Sequence, residues 1–345
     1  MRALIIGISG QDGTYLADLL LRKGYTVIGT SRDAATSSFS SLTHLGIASQ
    51  IRFESMATHD FRSVLHLLRK AEPDEIYNLS GQSSVGLSFE QPVETLDSMI
   101  AGTLNILESI RFLGRPVRFY NAGSGECYGD TDHDGAVEDS PFRPRSPYAV
   151  AKATAYWLVA NYREAYGLHA TTGVLFNHES PLRPLRFVTR KIVATACRIS
   201  RGSDEKLTLG NLRIRRDWGW APEYVDAMWR MLQCDEAHDF IIATGESNSL
   251  EEFVKEAFAL VNLDWRDHTV ASEALFRPTD ISEGKGNAAK AQRLLGWKAQ
   301  AHMNDVIALM VKAELETQGR RATDRRNVDA ADLDTHKRPV SDRKT

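Results

Sequence analysis

Ser124, Glu126, Tyr148 and Lys152 place a hydroxyl, a carboxylate, a phenol and an ammonium close together in the chain. Tyr148 and Lys152 are four residues apart, so on a helix they share one face. An ammonium fixed there favours the phenolate and makes the tyrosine a usable base near neutral pH. Glu126 is a second, independent proton handler. Behind a nucleotide-binding turn, these four groups point to a redox-assisted elimination.

That turn is Gly7, Gly10 and Gly13, a G-x-x-G-x-x-G pattern that also holds Gln11 and Asp12. It lies between the strand-like run Arg2-Ala3-Leu4-Ile5-Ile6 and the helical repeat from Tyr15 to Leu21. Missing side chains there let the backbone approach a pyrophosphate at a helix N-terminus. Three glycines alone also fit a tight turn without a ligand; the strand before and the helix after favour a cofactor. The second strand ends Gly29-Thr30-Ser31-Arg32-Asp33. Arg32 can pair with a 2′-phosphate, and no carboxylate sits at the usual ribose position, so NADP is expected over NAD.

The elements that must position these residues alternate. Strands are expected at Tyr25–Thr30, Glu75–Leu79, Val117–Asn121 and His169–Phe176, and helices at Ser63–Lys70, Gly102–Phe112 and Ala149–Tyr166. Alternation implies parallel pairing with right-handed crossovers, hence an α/β, Rossmann-type doubly wound sheet binding ligands beyond its strand carboxyl ends. The expected organisation is a mainly nucleotide-binding domain over 1–176, a smaller substrate-binding lobe over 177–317, and a mobile polar tail over 318–345. The segments Arg216–Gln233 and Asp239–Ala243 are expected to return to the first domain, and a short helical stretch is expected around Glu251–Val261.

Among 345 residues, 42 basic and 45 acidic side chains give a net charge of −3, so nothing electrostatic points to nucleic acid. Cys127, Cys197 and Cys234 show neither metal-ligand nor disulfide spacing, which fits a reducing cytoplasm and no bound metal. The N-terminus has no secretory leader pattern, and no apolar run approaches the ~20 residues needed to span a bilayer. A cytoplasmic protein without nucleic-acid or membrane partners is expected.

Longer phrases narrow the reading: Gly10-Gln11-Asp12-Gly13-Thr14-Tyr15-Leu16, Tyr77-Asn78-Leu79, Pro144-Arg145-Ser146-Pro147-Tyr148, Leu175-Phe176-Asn177-His178-Glu179-Ser180-Pro181, Phe187-Val188-Thr189-Arg190-Lys191 and Arg216-Asp217-Trp218-Gly219. Over roughly residues 1 to 315 the chain resembles the GDP-mannose 4,6-dehydratases of the extended short-chain dehydrogenase/reductase superfamily. The resemblance implies a 4-keto-6-deoxy product made from a GDP-manno sugar, serving surface polysaccharide synthesis. It implies Tyr148 as the base at the C4 hydroxyl, Lys152 as its electrostatic partner, Ser124 hydrogen-bonded to the C4 oxygen, and Glu126 acting at C5. It also implies a cofactor held near Leu79, Ser80, Gln82, His178 and Arg183, and a sugar nucleotide near Asn177, Val188, Lys191, Arg216 and Arg277. Trp218 and Trp220 fit core packing better than nucleotide stacking.

Three departures stand out. Gly123 and Gly125 flank Ser124 where the family carries bulkier residues, which predicts room for a larger C6 substituent, as in GDP-manno-heptose. The segment Phe53–Thr58 lacks the family's adenine-contacting aspartate. The loop Ala34–Ser41 lacks the arginine pattern that in relatives reaches a neighbouring subunit, so of homodimer and homotetramer the dimer is better supported. The alternatives are an epimerase or 4-reductase, for which Glu126 discriminates because 4-reduction needs no base at C5, and an inactive NADP-binding regulatory subunit.

Overall fold

A computed structural model describes residues 1–335. The chain opens β1 (Arg2–Ile6), α1 (Gln11–Arg22), β2 (Thr26–Ser31), α2 (Ser40–His44), β3 (Arg52–Ser55), α3 (Phe61–Ala71) and β4 (Glu75–Asn78). It continues α4 (Val85–Glu90), α5 (Pro92–Leu113), β5 (Arg118–Ala122), α6 (Pro147–Tyr166) and β6 (Ala170–Leu175). Next come β7 (Asn177–Glu179), α7 (Val188–Ile199), β8 (Leu207–Leu209), β9 (Arg215–Arg216), β10 (Trp218–Trp220), α8 (Ala221–Gln233) and β11 (Phe240–Ile242). The remainder is β12 (Asn248–Ser249), α9 (Leu250–Ala259), β13 (Thr269–Ala271), β14 (Glu283–Gly284), α10 (Ala289–Leu295) and α11 (Met303–Thr335).

Seven strands form one sheet in the order β11-β6-β5-β4-β1-β2-β3, every pair parallel. The order reverses between β1 and β4, so a crevice opens beyond their carboxyl ends. Residues of α3, α5 and α6 cover one face of the sheet, around Val64, Ile106, Ile110 and Val159. On the other face Leu16 and Leu20 of α1 pack with Tyr224, Met228 and Met231 of α8. Burying such side chains, at about 1.5–3 kcal/mol each, is what draws α8 and β11 back to the sheet, as the sequence predicts. A separate core joins α7, α9 and α11 through Ile192, Phe253, Phe258 and Ile307. This second core carries the wall of the crevice opposite the nucleotide-binding turn.

Three features differ from the sequence-based expectation. α5 begins at Pro92 rather than at Gly102. Gly102 does not break it, because its missing side chain lets Thr58 approach where a Cβ would stand 3.2 Å away. β3 and α7 fall in stretches where no element is expected. α11 carries the backbone past Gln318 to Thr335 as helix, where a mobile tail is expected. A helix bonds its own backbone, so the low apolar content of this stretch does not dictate coil. Positions 336–345 of that expected tail lie outside the described residues. No described helix is long and apolar enough to cross a membrane.

Candidate active site

Gly7 has a φ of 87°, and a Cβ there would stand 2.9 Å from the Leu79 carbonyl oxygen. At Gly13 a Cβ would come within 2.6 Å of both the Gly7 oxygen and the Ile8 Cα. These two glycines let α1 start directly against β1 and the end of β4. Gly10 caps α1 without a side-chain hydrogen bond, so the first-turn amides receive no acceptor from their cap. A backbone cradle closed to side chains, ending on a helix N-terminus, fits a dinucleotide pyrophosphate.

The side chains of Gln11 and Asp12 turn toward the β7 segment. Gln11 Nε2 donates to the His178 carbonyl at 3.1 Å, and the Ser180 hydroxyl donates to Gln11 Oε1 at 2.7 Å. His178 Nε2 lies 3.0 Å from Asp12 Oδ2, and its Nδ1 lies 2.8 Å from the Phe176 carbonyl oxygen. Burial opposes charge on Asp12, yet His178, Gln11 and Arg183 outweigh it and bring the carboxyl down to about 2. Burial likewise opposes charge on His178, and the Asp12 carboxylate reverses that, raising the imidazole above its ordinary value. Arg32 is exposed at the end of β2. Its neighbour Asp33 accepts from the amides of Ala35 and Thr36 at 3.0 and 3.3 Å, so that carboxylate is engaged by its own loop.

A cavity of about 330 Å³ opens at the crevice and is lined by Ser124, Glu126, Tyr148 and Lys152 together. Asp12, Leu79, Ser80, Gln82, His178 and Arg183 line the side nearer the turn. Asn177, Val188, Arg216 and Arg277 line it as well. Lys191 instead lines an adjoining cavity of about 260 Å³, which shares Val188 and Arg277 with the first. Its Nζ donates to the Thr208 carbonyl at 2.7 Å. Arg32 lines neither. Arg183 pairs with the buried Glu179 at 3.2 Å and lies over the Phe187 ring. Trp218 is buried edge-to-face against Phe253, and Trp220 packs on the same core, as expected of core residues.

Ser146 caps α6 by accepting from the Ala149 amide at 3.1 Å, which places Tyr148 in the first turn and Lys152 one turn later. Ser124 caps a short 3-10 helix, Gly125–Tyr128, and accepts from the Glu126 amide at 3.3 Å. The cap holds Glu126 toward the cavity. Burial raises Tyr148 above the ordinary phenol range; the Ser124 hydrogen bond is the largest influence pulling it back, with Arg183 a weaker one. Lys152, expected as the phenol's electrostatic partner, is hydrogen-bonded to the backbone. Its Nζ donates to the Ala122 carbonyl at 2.7 Å and lies 5.8 Å from the Tyr148 ring centre, and burial lowers it to about 8. That bond ties the side chain to Ala122, the last residue of β5.

Burial also raises Glu126, against the pull of Arg216 and Arg277. Arg216 Nε stands 3.8 Å from Glu126 Oε1. The expected extra room beside Ser124 is already filled. A Cβ on Gly125 would meet the Phe176 ring at 2.9 Å, and one on Gly123 would meet Thr172 at 2.7 Å. The core side chains have moved into the space the glycines leave.

Sequence reasoning passed over Asp280, which binds both Arg216 at 3.0 Å and Arg277 at 3.2 Å. Its three-residue spacing from Arg277 was the available signal. It also passed over Asp217, a buried carboxyl accepting from the Thr244 and Gly245 amides. No cluster of His, Cys, Asp and Glu able to hold a metal occurs among the described residues.

Among solved structures, the fold matches UDP-glucose 4-epimerase from Thermotoga maritima with UDP-glucose at a TM-score of 0.82 and 21% identity, covering 92% of this chain and 100% of that one. It matches the dTDP-glucose 4,6-dehydratase DesIV from Streptomyces venezuelae, with NAD and TYD bound, at 0.81 and 22%, covering 92% and 98%. RMD from Pseudomonas aeruginosa complexed with NADPH matches at 0.76 and 21%, covering 92% and 99%. In sequence, GDP-mannose 4,6 dehydratase 1 of Arabidopsis thaliana is 42% identical, covering 98% of this chain and 95% of its own length. The Homo sapiens GDP-mannose 4,6 dehydratase is 40% identical, with 91% of each chain covered. The GDP-mannose 4,6 dehydratase family model matches residues 4–310, which takes in both the nucleotide-binding turn and the cavity. The chain therefore belongs to the GDP-mannose 4,6-dehydratase family.

Proposed function

We propose that the protein is an NADP-dependent GDP-mannose 4,6-dehydratase. The observation that carries this is one cavity lined by Tyr148, Ser124 and Glu126 beside a pyrophosphate cradle, with Arg216 and Arg277 at its wall. When bound, the nicotinamide cofactor supplies a hydride acceptor at C4 of the sugar and the corresponding donor at C6. Ser124 hydrogen-bonds the C4 oxygen while Tyr148 takes the hydroxyl proton. The C4 ketone acidifies the C5 hydrogen; Glu126 removes that proton and passes it to the departing C6 hydroxyl, which leaves as water. As hydride returns to C6, C5 takes up a proton equivalent to the one Tyr148 drew from the C4 hydroxyl, so both residues end as they began. Arg216 and Arg277 meet the diphosphate, for which guanidinium groups are suited.

NADP is favoured over NAD because Arg32 is exposed at the end of β2 while Asp33 is occupied by its own loop. GDP-mannose is favoured over GDP-manno-heptose because Phe176 and Thr172 fill the space beside Ser124. The assembly is a homodimer: Val150 and Trp157 leave 42% and 62% of their surface exposed on α6, and Val93 leaves 78% on the neighbouring α5. The loop after β2 folds back on its own subunit, with Phe39 stacked on Phe53 at 3.9 Å, which favours a dimer over a tetramer. Three free cysteines suit a reducing cytoplasm.

Incubation with GDP-mannose and NADP, read by mass spectrometry and by nicotinamide absorbance, tests the activity. A product lighter by one water, with no net NADPH, is expected. Stoichiometric NADPH accumulation rejects it.

A further inference from the structure

Arg216 is almost fully buried, and a buried guanidinium requires an anion. Two carboxylates are within reach. Asp280 Oδ1 accepts from Arg216 Nη2 at 3.0 Å, whereas Glu126 Oε1 stands 3.8 Å from Arg216 Nε, beyond hydrogen-bond distance. The same Asp280 oxygen accepts from Arg277 Nη1 at 3.2 Å and from the Ile281 amide at 2.9 Å. The remaining Arg216 Nη1 donates to the carbonyls of Arg215 and Ile281. Asp280 is itself fixed, because Asp130, just past the Gly125–Tyr128 helix, accepts from the Ser282 and Glu283 amides. One carboxylate oxygen thus holds both Arg216 and Arg277, and its own segment is tied to the turn that carries Glu126.

We propose that Asp280 is a positioning residue: it anchors Arg216 and Arg277 over the substrate's diphosphate and keeps Arg216 from closing onto Glu126, leaving that carboxylate free to exchange protons with the sugar. Without it, Glu126 is the remaining carboxylate beside a buried guanidinium, and a direct salt bridge would hold it ionised and immobile. The charged and titratable groups around Glu126 are Arg216, Arg277, Asp280 and Asp130, with Cys127 and Tyr148 also sensing its charge. Removing the Asp280 charge removes one of the influences that side with burial against Arg216 and Arg277, which favours the ionised form.

The inference rests on the proposed dehydratase reading, so its test includes a measurement that needs no turnover. Asp280→Asn keeps the shape and one acceptor oxygen but loses the charge; Asp280→Glu keeps the charge. Infrared difference spectra, each protein minus its Glu126→Gln counterpart, follow the Glu126 carboxylic-acid band with pH. In Asp280→Asn that band should disappear at lower pH than in wild type, and Asp280→Glu should restore it. The acidic limb of the kcat profile should move the same way, with kcat/KM for GDP-mannose falling on the order of 10²-fold. A melting temperature near that of wild type identifies a folded variant; if Asp280→Asn does not fold, Asp280→Glu read against wild type carries the comparison. An unmoved Glu126 band in a folded variant overturns the proposal. A dehydratase-inactive wild type with the expected band shift overturns the functional reading instead.

Discussion

Glu126 and Tyr148 face one cavity from two different elements, the Gly125–Tyr128 helix and the first turn of α6, so their proton transfers are separable. Tyr148→Phe should remove oxidation at C4 and with it all turnover. Glu126→Gln should still oxidise C4 but lose dehydration by about 10²–10⁴-fold. Rapid-mixing absorbance separates them: reduced nicotinamide builds up in Glu126→Gln and stays absent in Tyr148→Phe. Full dehydration by Glu126→Gln would contradict its assignment. The buried Asp12–His178 pair gives a second prediction at this scale. Asp12 is lowered, so its contribution to stability is present above the ordinary 3.8 and lost as pH falls toward about 2. His178 is raised, so its contribution is full below the ordinary 6.5 and lost as pH climbs through the raised value. His178→Gln should therefore cost most between those two ordinary values, on the order of 3 kcal/mol, and progressively less at higher pH. Urea unfolding midpoints across pH check this; a deficit independent of pH would refute it. Tyr148 and Lys152 were readable from their spacing, but spacing could not show that Lys152 would turn to the Ala122 carbonyl. Asp280 was passed over because its three-residue spacing from Arg277 reads as an ordinary local ion pair, and Arg216, the buried guanidinium it also holds, is distant in sequence.

The glycine turn shows how an element encodes a site. Gly10 has room for a Cβ, whose nearest neighbour would stand 3.4 Å away, whereas Gly13 would drive one into three backbone atoms that cannot yield. Gly13→Ala should lose about 1–3 kcal/mol and weaken NADP binding, and Gly10→Ala should lose less. Thermal melts with and without NADP measure both. Equal effects would mean the α1 start is not packed as described. The parallel strands were legible because strands buried on both faces read as apolar runs between helical repeats. β3 was not, since its edge position leaves its residues partly or fully exposed and removes that run. Neither was α7, where Thr189 and Thr195 count as polar in the sequence although the fold buries them among the apolar residues. Phe176 filling the space behind Gly125 is a contact between distant segments, and no local pattern reports it.

At the scale of the whole molecule, the sheet and the second core both line the crevice, and α5 and α6 leave Val93, Phe112, Val150, Trp157 and Tyr166 exposed. Trp157→Asp should turn the proposed dimer into a monomer in light scattering, with the cavity residues untouched; an unchanged mass would place the interface elsewhere. The return of α8 and β11 to the sheet was legible from their apolar repeats, while the course of the backbone past Gln318 was not, because helix formation there does not depend on an apolar face. The proposed reaction moves hydrogen within a single sugar, from C4 to C6, and loses water between. GDP-mannose carrying deuterium at C4 follows that transfer. The deuterium should be recovered at C6 of a 4-keto-6-deoxy product. Deuterium accumulating in free NADPH, or absent from C6 of that product, would contradict it.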